Sequence, residues 1–168
     1  DLVIRLVLPA YNEEANVGRA VRALAEALRV LGEEFCITVV DDGSTDATAG
    51  VAREALGEHG EVIGYGGNEG VAAAFRAGFR HVLERSAPDD VIVTLESDGT
   101  ADLTTLPVLL GKIRGGCDVA LASCYMPEGS VVGATPYRRL LSRVANLMIA
   151  GLFPLKRLRD IHTYSAFY

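Results

Sequence analysis

Tryptophan is absent, and Cys36, Cys117 and Cys124 are the only cysteines among 168 residues. Their odd number and irregular spacing exclude a disulfide framework, a zinc knuckle and a Cys-x-x-Cys redox motif, and point to buried or incidental thiols in a reducing, cytoplasmic setting. Histidine is equally scarce: His59, His81 and His162 stand far apart, so no imidazole metal site is visible. No run of about 18 apolar residues occurs. The longest weakly polar stretch, residues 147–155, is interrupted by Gly151 and Pro154, so no membrane span is expected in the chain. A Gly-x-x-x-x-Gly-Lys-Ser/Thr loop is missing. Pro9-Ala10-Tyr11-Asn12 stands where a dinucleotide fold would carry its glycines, and Gly-x-Ser-x-Gly is absent. P-loop NTPase, NAD-dependent and serine-hydrolase readings therefore fail. Basic residues are outnumbered, 16 Lys and Arg against 22 Asp and Glu, and the formal charge of -6 argues against a general nucleic-acid binder. Only residues 137–159 break that pattern: every charged side chain there, Arg138, Arg139, Arg143, Lys156, Arg157 and Arg159, is basic.

What is present is an ordinary globular composition, 49% hydrophobic and 23% charged. The length suits one domain over 1–168, since a chain of this size buries roughly 70% of its unfolded surface. The first residue is not Met and the chain stops after Phe167-Tyr168 without a closing helix, so truncation at the C-terminus is expected. Apolar runs over residues 2–8, 35–40, 61–64, 91–95 and 118–123 predict buried strands. Between them lie helical patterns. Val17, Val21, Leu24, Leu28 and Leu31 form one stripe closed by Gly32; a second helix runs from an Asp46 N-cap to about Gly57. Val71, Phe75, Phe79 and Val82 form a third stripe, and residues 103–113 a fourth helix. This alternation predicts an α/β fold with a mostly parallel central sheet flanked by helices.

In such a sheet, ligands bind beyond the carboxyl ends of the strands. The polar clusters fall there: residues 9–14 after the first strand, 41–46 after the second, 64–70 after the third and 96–98 after the fourth. Each alone reads as turn chemistry, but four on one rim amount to a site. Glu96 and Asp98 share a face if the chain stays extended. Their hard oxygens suit Mg²⁺ or Mn²⁺ bridging a diphosphate. Alternatively Glu96 is simply solvated and Asp98 caps the turn at Gly99.

The segments Leu8-Pro9-Ala10-Tyr11-Asn12-Glu13-Glu14, Val40-Asp41-Asp42-Gly43-Ser44-Thr45-Asp46, Gly67-Asn68-Glu69-Gly70 and Glu96-Ser97-Asp98 resemble, in order and spacing, the signatures of family 2 inverting glycosyltransferases with the Rossmann-like GT-A fold. Residues 122–125, 129–130, 138–146 and 160–167 are similar to the dolichyl- or polyprenyl-phosphate branch of that family. The resemblance implies that Pro9, Ala10, Tyr11 and Glu13 frame the nucleotide base. It also implies that Asp42 contacts base or ribose with Asp41 beside it, and that Asn68 and Gly70 let the backbone approach the nucleotide. Glu96 and Asp98 match the metal motif, with Thr100 as a further ligand. Arg138 and Ser142, on one helix face, match residues near the acceptor or donor phosphates, and together with Asp98 they make up the expected catalytic set. Residues 1–100 would then be the nucleotide-sugar and metal half, and 101–168 the acceptor half. Three positions depart from the pattern: Glu96 replaces an Asp, Cys124 stands where an Arg is common, and Ala166 replaces a Gly.

The implied activity is metal-dependent, inverting hexose transfer from a nucleotide-diphosphate sugar, GDP-mannose or UDP-glucose, to a polyprenyl or dolichyl phosphate. A lipid phosphate is already anionic near neutrality and needs no general base, and no downstream Glu-Asp base motif is visible. The alternatives are transfer to a sugar hydroxyl in polysaccharide synthesis and a non-catalytic nucleotide-sugar-binding module. Tyr137, Leu140, Leu141, Val144, Leu147, Met148 and Leu152 form a helical stripe with Arg138, Arg139, Arg143 and Asn146 off it. That pattern suits either a core helix or one lying on a membrane surface, the latter implying a peripheral protein at the cytoplasmic face.

Overall fold

The computed structural model describes residues 2–122 and, beyond them, Thr135, Tyr137, Leu140, Leu141, Val144 and Met148. The elements alternate: β1 (Ile4–Ala10), α1 (Val17–Val30), β2 (Phe35–Asp41), α2 (Thr48–Leu56), β3 (Gly60–Gly64), α3 (Val71–Leu83), β4 (Val91–Thr94), a 3-10 turn (Leu103–Thr105) and α4 (Leu106–Arg114). The four strands form a parallel sheet in the order β3-β2-β1-β4. Two compact units are separable, residues 1–103 and 104–168.

Strand β1 is central, and Ile4, Leu6, Val7 and Leu8 on it are almost wholly excluded from solvent. Burying each such side chain contributes about 1.5–3 kcal/mol. The one interruption of that run, Arg5, is neutralised: its Nε donates to Asp90 Oδ2 at 2.7 Å. Asp90 also accepts the N–H groups of Val3 and Ala87. The Val3 bond first, then the Arg5 guanidinium, hold its carboxyl below the usual carboxylate range. This residue fastens the entry of β4 to that of β1.

Helix α1 buries Val17, Val21, Leu24 and Leu28, as its sequence stripe predicts. It ends in a Schellman closure: Gly32, at φ 70°, donates to Arg29 O, and Glu33 N donates to Leu28 O. Helix α2 starts one residue later than expected, with Ala47 rather than Asp46 at the cap position. The Asp46 carboxylate still satisfies the first turn by accepting the N–H and hydroxyl of Thr48.

Two expectations need correction. Of the third stripe, Val82 is buried and Phe75 packs against the core, but Val71 is 63% and Phe79 37% exposed, and α3 buries Ala73, Ala74 and Gly78 beside Val82 instead. The cause is close approach. A Cβ at Gly78 would lie 2.4 Å from Val7 Cγ1 and 3.0 Å from Val40 Cγ2, so the smallest residues on the helix must face the sheet. The expected strand at 118–123 is absent over its described part, residues 118–122. An apolar run becomes a strand only with a ladder partner; here Val119 and Leu121 are exposed instead.

In the second unit, α4 buries Leu106 and Leu110. Tyr137, Leu140, Leu141, Val144 and Met148 are helical, and all are exposed. Among the described residues no helix is long and apolar enough to cross a membrane.

Candidate functional site

The parallel register aligns strand ends. Ala10 pairs with Asp41, and Asp41 with Gly64, so the residues after three strands leave the sheet side by side. Thr94 of β4 pairs with Val7 of β1. Beyond this edge lie Tyr11, Asp42, the glycine stretch and the two acids.

Most polar residues of the first two loops hold each other. Asn12 N donates to Ser44 Oγ at 3.0 Å, while Thr45 N and Thr45 Oγ1 both donate to Asn12 Oδ1. Glu13 N donates to Thr48 Oγ1 at 2.7 Å, Glu14 N to Asp46 Oδ2, and Ala47 N to Glu14 Oε2. Asp42 N completes the seam by donating to Ala10 O at 2.9 Å. Asn12 adopts φ 55°, a conformation Asn tolerates better than most residues, and this aims its amide across the gap. These residues therefore build the frame, and what it presents is different: Tyr11, 44% exposed, and the carboxylates of Asp41 and Glu13. Each of those carboxylates has one local bond, Asp41 Oδ1 from Ser44 N and Glu13 Oε2 from Asn16 Nδ2.

Asp42 is buried, 4% exposed, and binds the third loop. Its Oδ1 accepts Tyr65 Oη–H and Glu69 N–H, and its Oδ2 accepts Gly70 N–H at 2.9 Å. Gly70 caps α3, so a carboxylate sits at the positive end of that helix. The two loops touch: a Cβ on Gly43, which has φ 71°, would lie 2.4 Å from Gly67 C and 2.6 Å from Asn68 N. Only glycine satisfies both the angle and the space. Asn68 itself is exposed.

The acidic loop is built otherwise. Ser97, 4% exposed, donates from Oγ to Pro9 O at 2.7 Å and so ties the loop after β4 to the end of β1. Sequence reasoning passed over this serine; its signal is a small hydroxyl residue between two acids at a strand end. Asp98 folds onto Thr100, whose N and Oγ1 each lie 2.9 Å from Asp98 Oδ1. Glu96 lines a cavity of about 140 Å³ together with Arg19, Gly99 and the apolar Leu8, Leu24 and Leu95. Partial desolvation there, then the charges of Asp98 and Glu13, raise the Glu96 carboxyl above its ordinary range. Among the described residues no three His, Cys, Asp or Glu side chains assemble into a complete metal cage. What they offer a hard cation is a pair of mutually repelling carboxylates with coordination positions left over, a donor set that fits Mg²⁺ or Mn²⁺ completed by diphosphate oxygens. Arg138 and Ser142 lie outside the described residues, as does Cys124.

The chain has relatives among curated proteins and solved structures. It is 31% identical over 94% of its length to the dolichol-phosphate mannosyltransferase of Pyrococcus furiosus, covering 43% of that protein. It is 35% identical over 84% of its length to the polyprenol monophosphomannose synthase of Mycolicibacterium smegmatis, covering 52% of it. The chain thus spans about half the length of these relatives. In fold it is similar to mannosyl-3-phosphoglycerate synthase from Rubrobacter xylanophilus, with a TM-score of 0.61 at 22% identity over 87% of this chain and 47% of that one. It is also similar to glucosyl-3-phosphoglycerate synthase from Mycobacterium tuberculosis, with a TM-score of 0.52 at 24% identity over 68% of this chain and 40% of that one. The glycosyl transferase family 2 model matches residues 6–167. With its parallel sheet, its rim of loops and this match from end to end, the chain belongs to glycosyl transferase family 2 and has the GT-A type of α/β fold.

Proposed function

We propose that this chain carries the donor site of a metal-dependent, inverting hexosyltransferase that moves a sugar from GDP-mannose or UDP-glucose to a polyprenyl or dolichyl phosphate. The observation that carries the donor half is the Ser97–Pro9 bond, which sets the acidic pair beside the clasped loops. Tyr11, Pro9, Ala10 and Glu13 would frame the base, and Asp42, with Asp41, would meet the base or ribose. Glu96 and Asp98 would hold Mg²⁺ or Mn²⁺, with Thr100 keeping Asp98 oriented or adding a ligand. When bound, the metal acts as a Lewis acid on the departing diphosphate. The acceptor phosphate oxygen forms the new bond to the anomeric carbon as the bond to the nucleoside diphosphate breaks on the opposite face, inverting the centre. Arg138 and Ser142 would neutralise and orient phosphate oxygens.

The lipid acceptor is supported by the names of the curated relatives, two of which are a dolichol-phosphate mannosyltransferase and a polyprenol monophosphomannose synthase. The exposed helical residues Tyr137, Leu140, Leu141, Val144 and Met148 support action at a membrane surface. The test is a transfer assay on the full-length protein with polyprenyl phosphate and with soluble sugars as competing acceptors. Sugar should appear on the lipid phosphate alone. The Asp98→Ala variant should lose on the order of 10²–10³-fold in rate, the scale for removing one contact that stabilises developing charge. Transfer to a sugar hydroxyl instead would replace the acceptor assignment, and full activity in Asp98→Ala would remove the metal site.

A further inference from the structure

Tyr65 lies in the 64–70 cluster but carries none of the roles assigned above, and it occupies the point where the third loop leaves β3. Its ring packs against the buried cluster of Val7, Val40, Ala74 and Val82, while its hydroxyl reaches the Asp42 carboxylate. The N–H groups of Glu69 and Gly70 reach the same carboxylate from the other end of the loop. The glycine loop is thus pinned at both ends by one side chain, and its middle lies against Gly43.

A carboxylate offers about four lone-pair directions. Three donors fill three of them, which fixes the plane of the Asp42 group and leaves one direction open. We infer that Tyr65 is a positioning residue for the donor nucleotide: its hydroxyl orients the Asp42 carboxylate and holds the 66–70 loop closed, so that a nucleoside meets a preset acceptor and backbone. This rests on the donor-nucleotide reading above. Burial first, then the Asp42 bond, raise the Tyr65 hydroxyl well above its ordinary range, so it stays a donor throughout the working pH range. Loss of the hydroxyl leaves the ring and its packing in place but frees one edge of the carboxylate and the start of the loop. Nucleotide binding then has to order both.

The experiment compares full-length wild type with Tyr65→Phe. Calorimetric titration with GDP and UDP in Mn²⁺ should give a dissociation constant raised on the order of tenfold for the nucleotide that wild type prefers, the scale of one hydrogen bond to a charged group. Donor KM should rise in parallel, with kcat and the acceptor KM unchanged, because the lost contact acts on binding and not on the reacting atoms. Hydrogen exchange at the Glu69 and Gly70 amides should quicken. Wild-type nucleotide affinity with unaltered affinity in Tyr65→Phe would overturn the inference alone. A fall in kcat that tracks a lowered melting temperature would overturn it in favour of a purely structural role. Failure of wild type to bind either nucleotide would remove the donor-site reading, and the inference with it.

Discussion

The loops after β1 and β2 and the loop after β4 stand on the same rim but are finished to different degrees. Six hydrogen bonds that use side chains cross between residues 12–14 and 44–48. Ser97 Oγ tethers the loop after β4 to Pro9 O at the end of β1, and the bonds described for Asp98 run to its near neighbour Thr100. The first region is closed by its own hydrogen bonds. The second keeps two carboxylates close enough that partial burial first, then the charges of Asp98 and Glu13, raise the Glu96 carboxyl. A frame that holds itself does not need its ligand to fold, whereas on the proposed reading the acidic loop would be completed by a cation. On that reading nucleotide recognition and metal recognition are separable.

The strongest way to break the closed region is Gly43→Ala. The added Cβ meets the Gly67–Asn68 backbone and the residue must keep φ 71°, so destabilisation of roughly 2–5 kcal/mol is expected. Urea unfolding reads it, and a loss below 1 kcal/mol would show that the two loops separate freely. Asn12 sharpens the same point. Asn12→Ala removes the acceptor of both Thr45 bonds and the tolerance for positive φ, at about 1–2 kcal/mol given the exposure of those bonds. Asn12→Gly restores the φ tolerance and should recover part of that loss; equal losses in the two variants would place the whole effect in the amide.

Much of this architecture was legible in the sequence. The runs that became β1 to β4 lie within a few residues of their observed bounds, and Gly32 announced the end of α1. Helix α3 was misread because both of its faces are apolar. Periodicity weights large side chains, but Gly78 must face Val7, and that distance belongs to the fold. The rim itself was visible as four polar clusters. Which of their members build and which present was not: Asn12 and Thr45 are 33 residues apart, and only the parallel register of β1 with β2 brings them together. Tyr65 stood in the 64–70 cluster without a role, because its bond to Asp42, 23 residues away, exists only through the parallel register of β2 with β3.

The smallest expected effect concerns the open region. The folded protein raises Glu96 above its ordinary 4.5, so its ionisation is disfavoured by folding. Its contribution to stability is fully present below pH 4.5 and is lost as pH rises through the raised value. In chelator at pH 7, Glu96→Gln should therefore melt at or slightly above the wild-type temperature, with the difference vanishing in acid. Adding Mn²⁺ should stabilise wild type more than the variant. A variant that melts lower in chelator at pH 7 would show that Glu96 is already paired.

The separation of frame and acidic loop is tested most directly by titrating GDP and UDP into full-length wild type and Asp98→Ala by calorimetry, with and without Mn²⁺. The account predicts that Mn²⁺ tightens binding of the preferred nucleotide by about tenfold or more in wild type, equivalent to about 1.4 kcal/mol. In Asp98→Ala it should have no effect, while metal-free binding stays the same in both proteins. Metal-independent binding in wild type, or loss of metal-free binding in Asp98→Ala, would contradict it.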